Sequence, residues 1–386
     1  MRVLLCALGF VLCALPACAQ PANLLPNGSF ELVEPPPPTA ATIAATRPSA
    51  PEDFLPRTWH YWAQWGATVK LPEDPVQAHT GGRCVQFVAD KGQAFLRYWP
   101  LPVADGKPWT VGLWARGTGK LALTALDMTT DNWQEAPVQV FDLRAEWTKF
   151  TAQWTPPEGC RKWALNLSNL GPTQCFIDDV SAAREGAQAP PWPPKGPLGR
   201  DGQTLLLLDF DKPLDPDAFY VGGQVKQVEG MPGFGQALQL GPEGYVACSA
   251  DENLDPQCGT IEVWCKLLAP GGNGIQQPFV SIPGMEGMWL GKDQYSHVGF
   301  SFSSGWAPLS QATMLGYAGN WQPCWRHIAA CWDADALQLF VDGKLIAWQT
   351  KPRLSRFLGP ELRLGSPGMV IDDLRISRTV RYRVGT

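Results

Sequence analysis

Apolar and polar side chains alternate in short runs along nearly the whole chain, and each run ends in a cluster of Gly, Pro, Asn or Asp. A period of two belongs to strands that put one face in a core and the other in water, and helical spacing is nearly absent. The clear runs in the first half are Trp109 to Ala115, Lys120 to Met128, Trp147 to Trp154 and Lys162 to Ser168. In the second half they are Thr260 to Leu267, His297 to Ser303, Trp325 to Asp333 and Leu337 to Val341. The last continues through Asp342-Gly343 into Lys344 to Gln349, and Asp-Gly is a strong hairpin signal because both residues tolerate the positive φ of a tight turn. With 39 glycines and 37 prolines to punctuate the strands, the chain reads as all-β, two antiparallel jelly-roll β-sandwiches.

A proline-dense linker over residues 186–202 contains Gly186-Ala-Gln-Ala-Pro-Pro-Trp-Pro-Pro-Lys-Gly-Pro197. It separates two tracts, residues 23–185 and 203–380, each long enough for its own core. Proline makes such a linker extended and semi-rigid. A second proline-rich stretch, residues 35–56, lies inside the first tract and reads as a surface insertion.

Residues 1–19 read as a signal peptide. Arg2 precedes an apolar run from Val3 to Leu15, too short for a membrane span, and Ala17-Cys18-Ala19 supplies small residues for cleavage. Cys18 also approximates a lipoprotein site, with simple cleavage the favoured reading. Export predicts a secreted or periplasmic protein, without membrane insertion. Arg2 is the sole charge removed, so the formal net charge of -5 becomes -6, which argues against nucleic acid as a partner. Cleavage also reduces 11 cysteines to eight: Cys84, Cys160, Cys175, Cys248, Cys258, Cys265, Cys324 and Cys331. An oxidising compartment permits bridges such as Cys248 to Cys258 or Cys324 to Cys331. Cys265 and Cys331, within apolar strand patterns, read as small buried hydrophobes.

The first tract opens Asn23-Leu-Leu-Pro-Asn-Gly-Ser-Phe-Glu31, continues through Pro56-Arg-Thr-Trp59 and Ala78-His-Thr-Gly-Gly82, and closes Phe176-Ile-Asp-Asp-Val-Ser181. In that order these motifs resemble the carbohydrate-binding modules of families four, nine and twenty-two. The resemblance implies a jelly roll, often with a structural calcium, and carries the ligand roles to Glu31, the backbone around Gly82, and Asp178 or Asp179. Carboxylate and carbonyl oxygens are what such a hard cation requires. The alternative is that these carboxylates only bond backbone near strand ends.

The second tract is similar to laminin-G-like, concanavalin-type domains. The similarity rests on Gly259-Thr-Ile-Glu-Val-Trp-Cys-Lys266, Trp325-Arg-His-Ile-Ala-Ala-Cys-Trp-Asp333, Leu339-Phe-Val-Asp-Gly-Lys344 and Ile371-Asp-Asp-Leu-Arg-Ile-Ser377. It implies a two-sheet jelly roll and leaves function open, because such a fold serves many partners.

Catalysis finds little support. Two carboxylates flanking one glycosidic bond are needed for glycoside hydrolysis, and Glu262 has no second acid close to it on its strand. No Gly-x-Ser-x-Gly occurs, and His60, His79, His297 and His327 lie in separate segments.

Eighteen tryptophans point instead to binding. An indole ring fills sandwich cores and also stacks on the C–H faces of sugars. Core packing is expected for most of them. Trp59-His-Tyr-Trp62-Ala-Gln-Trp65 places four aromatics in one short segment, more than alternation can bury on one face. Trp59 is assigned to the core, leaving Tyr61, Trp62 and Trp65 as an exposed platform, joined by Trp133 from a polar loop. In the second tract, Ile261, Val263, Cys265 and Leu267 share one face; if that set faces the core, Trp264 is either displayed beside Glu262 and Lys266 or packed under a covering loop. The sequence therefore reads as an exported, non-catalytic protein that binds polysaccharide or surface glycan; the alternatives are an adhesive protein whose second domain holds a protein partner and, third, a glycan-processing enzyme.

Overall fold

The computed structural model describes residues 23–25, 27–31, 33–34, 55–56, 58–72, 74–103, 106–130, 133–184, 193–284, 286–304, 312–317, 321, 323–354 and 358–384. The expected signal segment with Cys18, most of the 35–56 insertion and the first part of the linker lie outside these residues. No helix among the described residues is long and apolar enough to cross a membrane.

A two-residue ladder of β1 (Val33–Glu34) with β2 (Leu55–Pro56) closes the base of the insertion. Next come β3 (His60–Gln64), β4 (Thr68–Lys70), β5 (Val85–Ala89), β6 (Gln93–Pro102) and β7 (Trp109–Thr118). They are followed by β8 (Lys120–Asp127), β9 (Gln134–Asp142), β10 (Thr148–Trp154), β11 (Lys162–Asn169) and β12 (Thr173–Arg184). Strands β3 to β12 make two antiparallel five-stranded sheets, in the orders β10-β7-β12-β5-β4 and β3-β6-β11-β8-β9.

The remaining strands open with β13 (Thr204–Leu208), β14 (Tyr220–Gly222), β15 (Val225–Glu229), β16 (Gln236–Leu240) and β17 (Tyr245–Ser249). They continue with β18 (Gly259–Leu267), β19 (Gln277–Ile282), β20 (Glu286–Lys292), β21 (His297–Ser304) and β22 (Ala312–Tyr317). The last are β23 (Trp325–Trp332), β24 (Ala336–Val341), β25 (Lys344–Thr350), β26 (Glu361–Leu364) and β27 (Met369–Ser377). One sheet runs β15-β16-β27-β18-β23-β24-β25, with β13 added beside β27; the other runs β14-β17-β26-β19-β20-β21-β22.

Alternation explains both cores. In the first, Val85, Phe87 and Ala89 of β5 and Val111, Leu113 and Ala115 of β7 meet Leu121, Leu123 and Ala125 of β8 from the facing sheet. Trp163 sits at one end, edge-on to Trp109 at 5.2 Å and against Trp154 at 4.4 Å. In the second, Ile261, Val263, Cys265 and Leu267 do face the core, with Phe300, Phe302 and Trp332 among their cluster. Burying one such side chain contributes about 1.5–3 kcal/mol.

Both sandwiches use the same device on their closing strand. Asp178-Asp179 on β12 and Asp372-Asp373 on β27 each interrupt the register, two residues opposing one on the neighbouring strand. The second aspartate of each pair has φ near +45°, 45° at Asp179 and 46° at Asp373, the left-handed conformation that Asp tolerates. The carboxylates then gather loop N–H groups: Asp372 accepts from Met231 N at 3.1 Å and Asp373 from Leu198 N at 2.5 Å, which fastens the end of the linker to β27. Burial pushes Asp372 up to about 7 and Asp373 up to about 6.

The Asp342-Gly343 turn has φ of 50° and 77°, as the hairpin signal requires. Asp342 is also a buried anchor, accepting from Arg326 Nη1 at 2.9 Å and from His327 N at 3.0 Å. Lys292, likewise wholly buried, donates to Gly271 O, Asn273 Oδ1 and Ile275 O at 2.6–2.8 Å and so holds the loop before β19.

The disulfides considered from sequence are not formed in this structure. Cys324 immediately precedes β23 and Cys331 lies seven residues further along it. An extended strand puts them about 23 Å apart, far beyond the reach of a bridge. Cys248 belongs to the seven-stranded sheet, whereas Cys258 leads into β18 of the other.

Arg326→Met would strand Asp342 in the interior, where only 2% and 0% of the two side chains is exposed. Loss of one partner of such a pair is expected to cost about 3–5 kcal/mol, read as a lower denaturant midpoint.

Candidate functional site

Strand β6 presents Phe95, Arg97 and Trp99 on the face opposite Ala94, Leu96 and Tyr98, which enter the core. The register sets Trp62 beside Phe95 and His60 beside Arg97 on one flank. On the other flank Asn166 lies opposite Arg97, and Thr124 opposite Asn166. Directly paired residues share a face. The outer face of β3-β6-β11-β8-β9 is therefore a band of rings bordered by short polar side chains.

The band is internally ordered. Trp62 stacks on Phe95 at 5.5 Å and 30°. The Arg97 guanidinium lies 4.6 Å from the Phe95 ring and 5.9 Å from the Trp133 ring, linking the two halves of the band. Arg97 Nε donates to Asn166 Oδ1 at 3.4 Å, and Asn166 Nδ2 donates to Thr124 Oγ1 at 3.1 Å. Trp99 approaches Trp133 at 6.5 Å and stacks on His60 at 5.2 Å. Rings with ordered donors beside them are the elements that bind a sugar by its apolar face and its hydroxyls.

Of the predicted platform, Trp62 and Trp133 belong to this face, 39% and 48% exposed. Tyr61 does not. It pairs with Leu96, so its side chain leaves the opposite side of the edge strand. Trp65 occupies the turn after β3 with φ of 55° and is the most exposed of the four. Trp59 is buried, edge-on to Tyr98 at 5.2 Å, as assigned.

Trp264 takes the covered of its two alternatives. Its strand has the alternation read from sequence, yet the ring is only 6% exposed because Phe234 and His327 cover it at 5.6 and 5.3 Å. It borders a cleft of about 920 Å³ that Lys266, Trp325 and Met231 also line. Neighbouring Glu262 is fully buried and carries Arg375 at 2.6 Å, His327 Nε2 at 3.3 Å and the Tyr382 hydroxyl at 2.5 Å. Its partners are donors rather than a second acid, and it is closed to a polymer.

The four residues implied as calcium ligands do gather at one loop, which meets the carboxylates with donors. Glu31 Oε1 accepts from Gly82 N and Arg83 N at 3.0 and 3.1 Å. Asp178 accepts from His79 N, Thr80 N and Asp179 N at 2.8, 3.1 and 2.7 Å. Asp179 holds His79 Nδ1 and Thr80 Oγ1, both at 2.7 Å. No cluster of three or more His, Cys, Asp or Glu side chains suited to a metal occurs among the described residues. The loop is held to the carboxylates by these hydrogen bonds. Burial raises Asp178 to about 6 in spite of its three N–H partners.

Burial, with Lys344 and then Arg97 nearby, pushes His60 down to about 3. Lys344 comes from the second sandwich, donating to Thr58 O at 2.8 Å and lying 4.8 and 5.7 Å from the Tyr98 and Trp99 rings. Sequence reading missed Phe95, Arg97, Trp99, Asn166 and Thr124. A signal was available, since Arg97 marks the outward parity of an otherwise aromatic strand, and Asn166 and Ser168 alternate with Leu165 and Leu167.

No family model matches the chain. Nor does any curated protein. Among solved structures it is similar to TmCBM61 in complex with beta-1,4-galactotriose, at 19% identity and TM-score 0.29, over 42% of this chain and 99% of that one. The N-terminal CBM22-1-CBM22-2 tandem domain of Paenibacillus barcinonensis Xyn10C matches at 14% identity and TM-score 0.30, over 94% and 100%. Domain 4 of AbnA, an extracellular GH43 arabinanase from Geobacillus stearothermophilus, in complex with arabinotriose, matches at 15% identity and TM-score 0.36, over 46% and 93%. Likeness at these scores carries no argument about function.

Two outcomes test the site's supports. Asp178→Ala removes the acceptor of three N–H groups and is expected to cost roughly 2–4 kcal/mol, read as a lower melting temperature. For His60, the folded pKa of about 3 lies below the unfolded 6.5. Between these values the unfolded chain takes up a proton that the folded one refuses, so this contribution to stability is lost as pH falls through that window. A His60→Phe variant should therefore be more stable relative to the parent at pH about 4.5 than at pH about 7.5, by thermal melts at both.

Proposed function

We propose that this chain is an exported carbohydrate-binding protein that holds a saccharide chain on the outer face of β3-β6-β11-β8-β9 without turning it over. The observation that carries the reading is the continuous band Trp62-Phe95-Arg97-Trp133, fixed by Asn166 and Thr124. Trp62 and Trp133 supply stacking faces at its two ends, Arg97 orients hydroxyls between them, and Thr124 and Asn166 set the polar border. We further propose that residues 23–185 and 203–380 are separate units, the second laminin-G-like. Self-contained strand pairing on either side of the linker supports this division.

Affinity electrophoresis in gels containing soluble xylan, galactan or arabinan tests the reading. At least one polysaccharide should retard the parent. A Trp62→Ala, Trp133→Ala double variant should lose tenfold or more in affinity, about 1.4 kcal/mol, with an unchanged far-ultraviolet spectrum. Release of reducing ends from any of the three would overturn the non-catalytic reading, and retardation unaltered in the double variant would overturn the site.

A further inference from the structure

The seven-stranded sheet of the second sandwich also has an outward face, and its register draws one row across it. Tyr220 pairs with Ala247, Ala247 with Arg363, Arg363 with Ser281, Ser281 with Trp289, and Trp289 with Ser301. Their strand neighbours Val246, Leu364, Val280, Leu290 and Phe300 belong to the core, so the row points away from it. At the usual spacing between strands the row spans about 24 Å, with Arg363 and Trp289 about 10 Å apart.

Its chemistry repeats that of the first face. Trp289 is half-buried, and small hydroxyl side chains at Ser281 and Ser301 flank it along the row. The Arg363 guanidinium lies 4.7 Å from the ring of Tyr245, compared with 4.6 Å for Arg97 on Phe95. Tyr220, 63% exposed, approaches Tyr245 at 6.0 Å. A recess of about 390 Å³ beside Tyr220 is lined also by Ala247, Ser249 and Glu361. Arg363 Nε donates to Glu361 Oε1 at 2.5 Å, so its charge is balanced within the face. Rings separated by hydroxyls do not form the contiguous apolar patch that a protein partner would bury.

We infer a second saccharide platform on this face, built from Trp289, Tyr245, Tyr220 and Arg363, whose ligand is a neutral saccharide chain. The inference rests on carbohydrate binding as the function of the protein, and one experiment separates the two. The full chain, Trp289→Ala, the Trp62→Ala, Trp133→Ala variant and the triple variant are run in xylan, galactan and arabinan gels. Arg363→Ala, at a half-exposed position on the outward face, is added to the double variant as a substitution that leaves the core untouched. The double variant should keep residual retardation, and adding Trp289→Ala or Arg363→Ala should weaken it by about fivefold or more. If retardation of the parent disappears completely in the double variant, or if the residual is indifferent to both additions, the second platform is overturned while the first stands. If no polysaccharide retards the parent, carbohydrate binding fails and the second platform falls with it.

Discussion

Each sandwich closes on two consecutive aspartates, all buried except the half-buried Asp179, and the surrounding geometry follows from satisfying them. A carboxylate in the interior is tolerated only if donors surround it. The bulge at Asp178-Asp179 turns both side chains toward the loop from His79 to Arg83, which supplies backbone N–H groups to Asp178 and the His79 and Thr80 side chains to Asp179. On β27 the equivalent pair recruits Met231 and Leu198. One local irregularity thus fixes a strand, a loop and, in the second sandwich, the end of the linker. Replacement of either pair by apolar residues would leave the loop amides as the unsatisfied groups instead.

The band of rings depends on this framework only indirectly, because it lies on the other sheet of the first sandwich. Phe95, Arg97 and Trp99 occur on one strand because period two places every second residue outward, and β3 and β11 complete the face by register. A site on paired strands is held more closely than one on loops, since its spacing is set by backbone hydrogen bonds.

Fold class was legible in the sequence because alternation and turn chemistry are local. The runs at Trp109, Lys120 and Lys162 and the Asp342-Gly343 turn reappear as β7, β8, β11 and the β24–β25 hairpin. The site was legible only in part. Trp62 and Trp133 stood out as surplus rings, but Tyr61 was placed with them because composition reports a cluster and not its two sides. Trp264 has the outward parity expected of it, and what covers it, Phe234 and His327, comes from other strands. The partners of Arg97 are likewise set by cross-strand register. For the calcium residues, the motif identified which groups meet but not whether the loop would offer them oxygens or N–H groups.

Arg97 is wedged between Phe95 and Trp133 and bound to Asn166, and this has a consequence for how a ligand arrives. A cation packed between rings and half withdrawn from water projects little field beyond the surface, and the Debye length at physiological salt is about 8 Å. Encounter with such a face is not steered from a distance; it is limited by orientation, at the ordinary rate for unguided docking. Discrimination between one saccharide and another then lies in how long each stays, and it persists across a wide range of ionic strength.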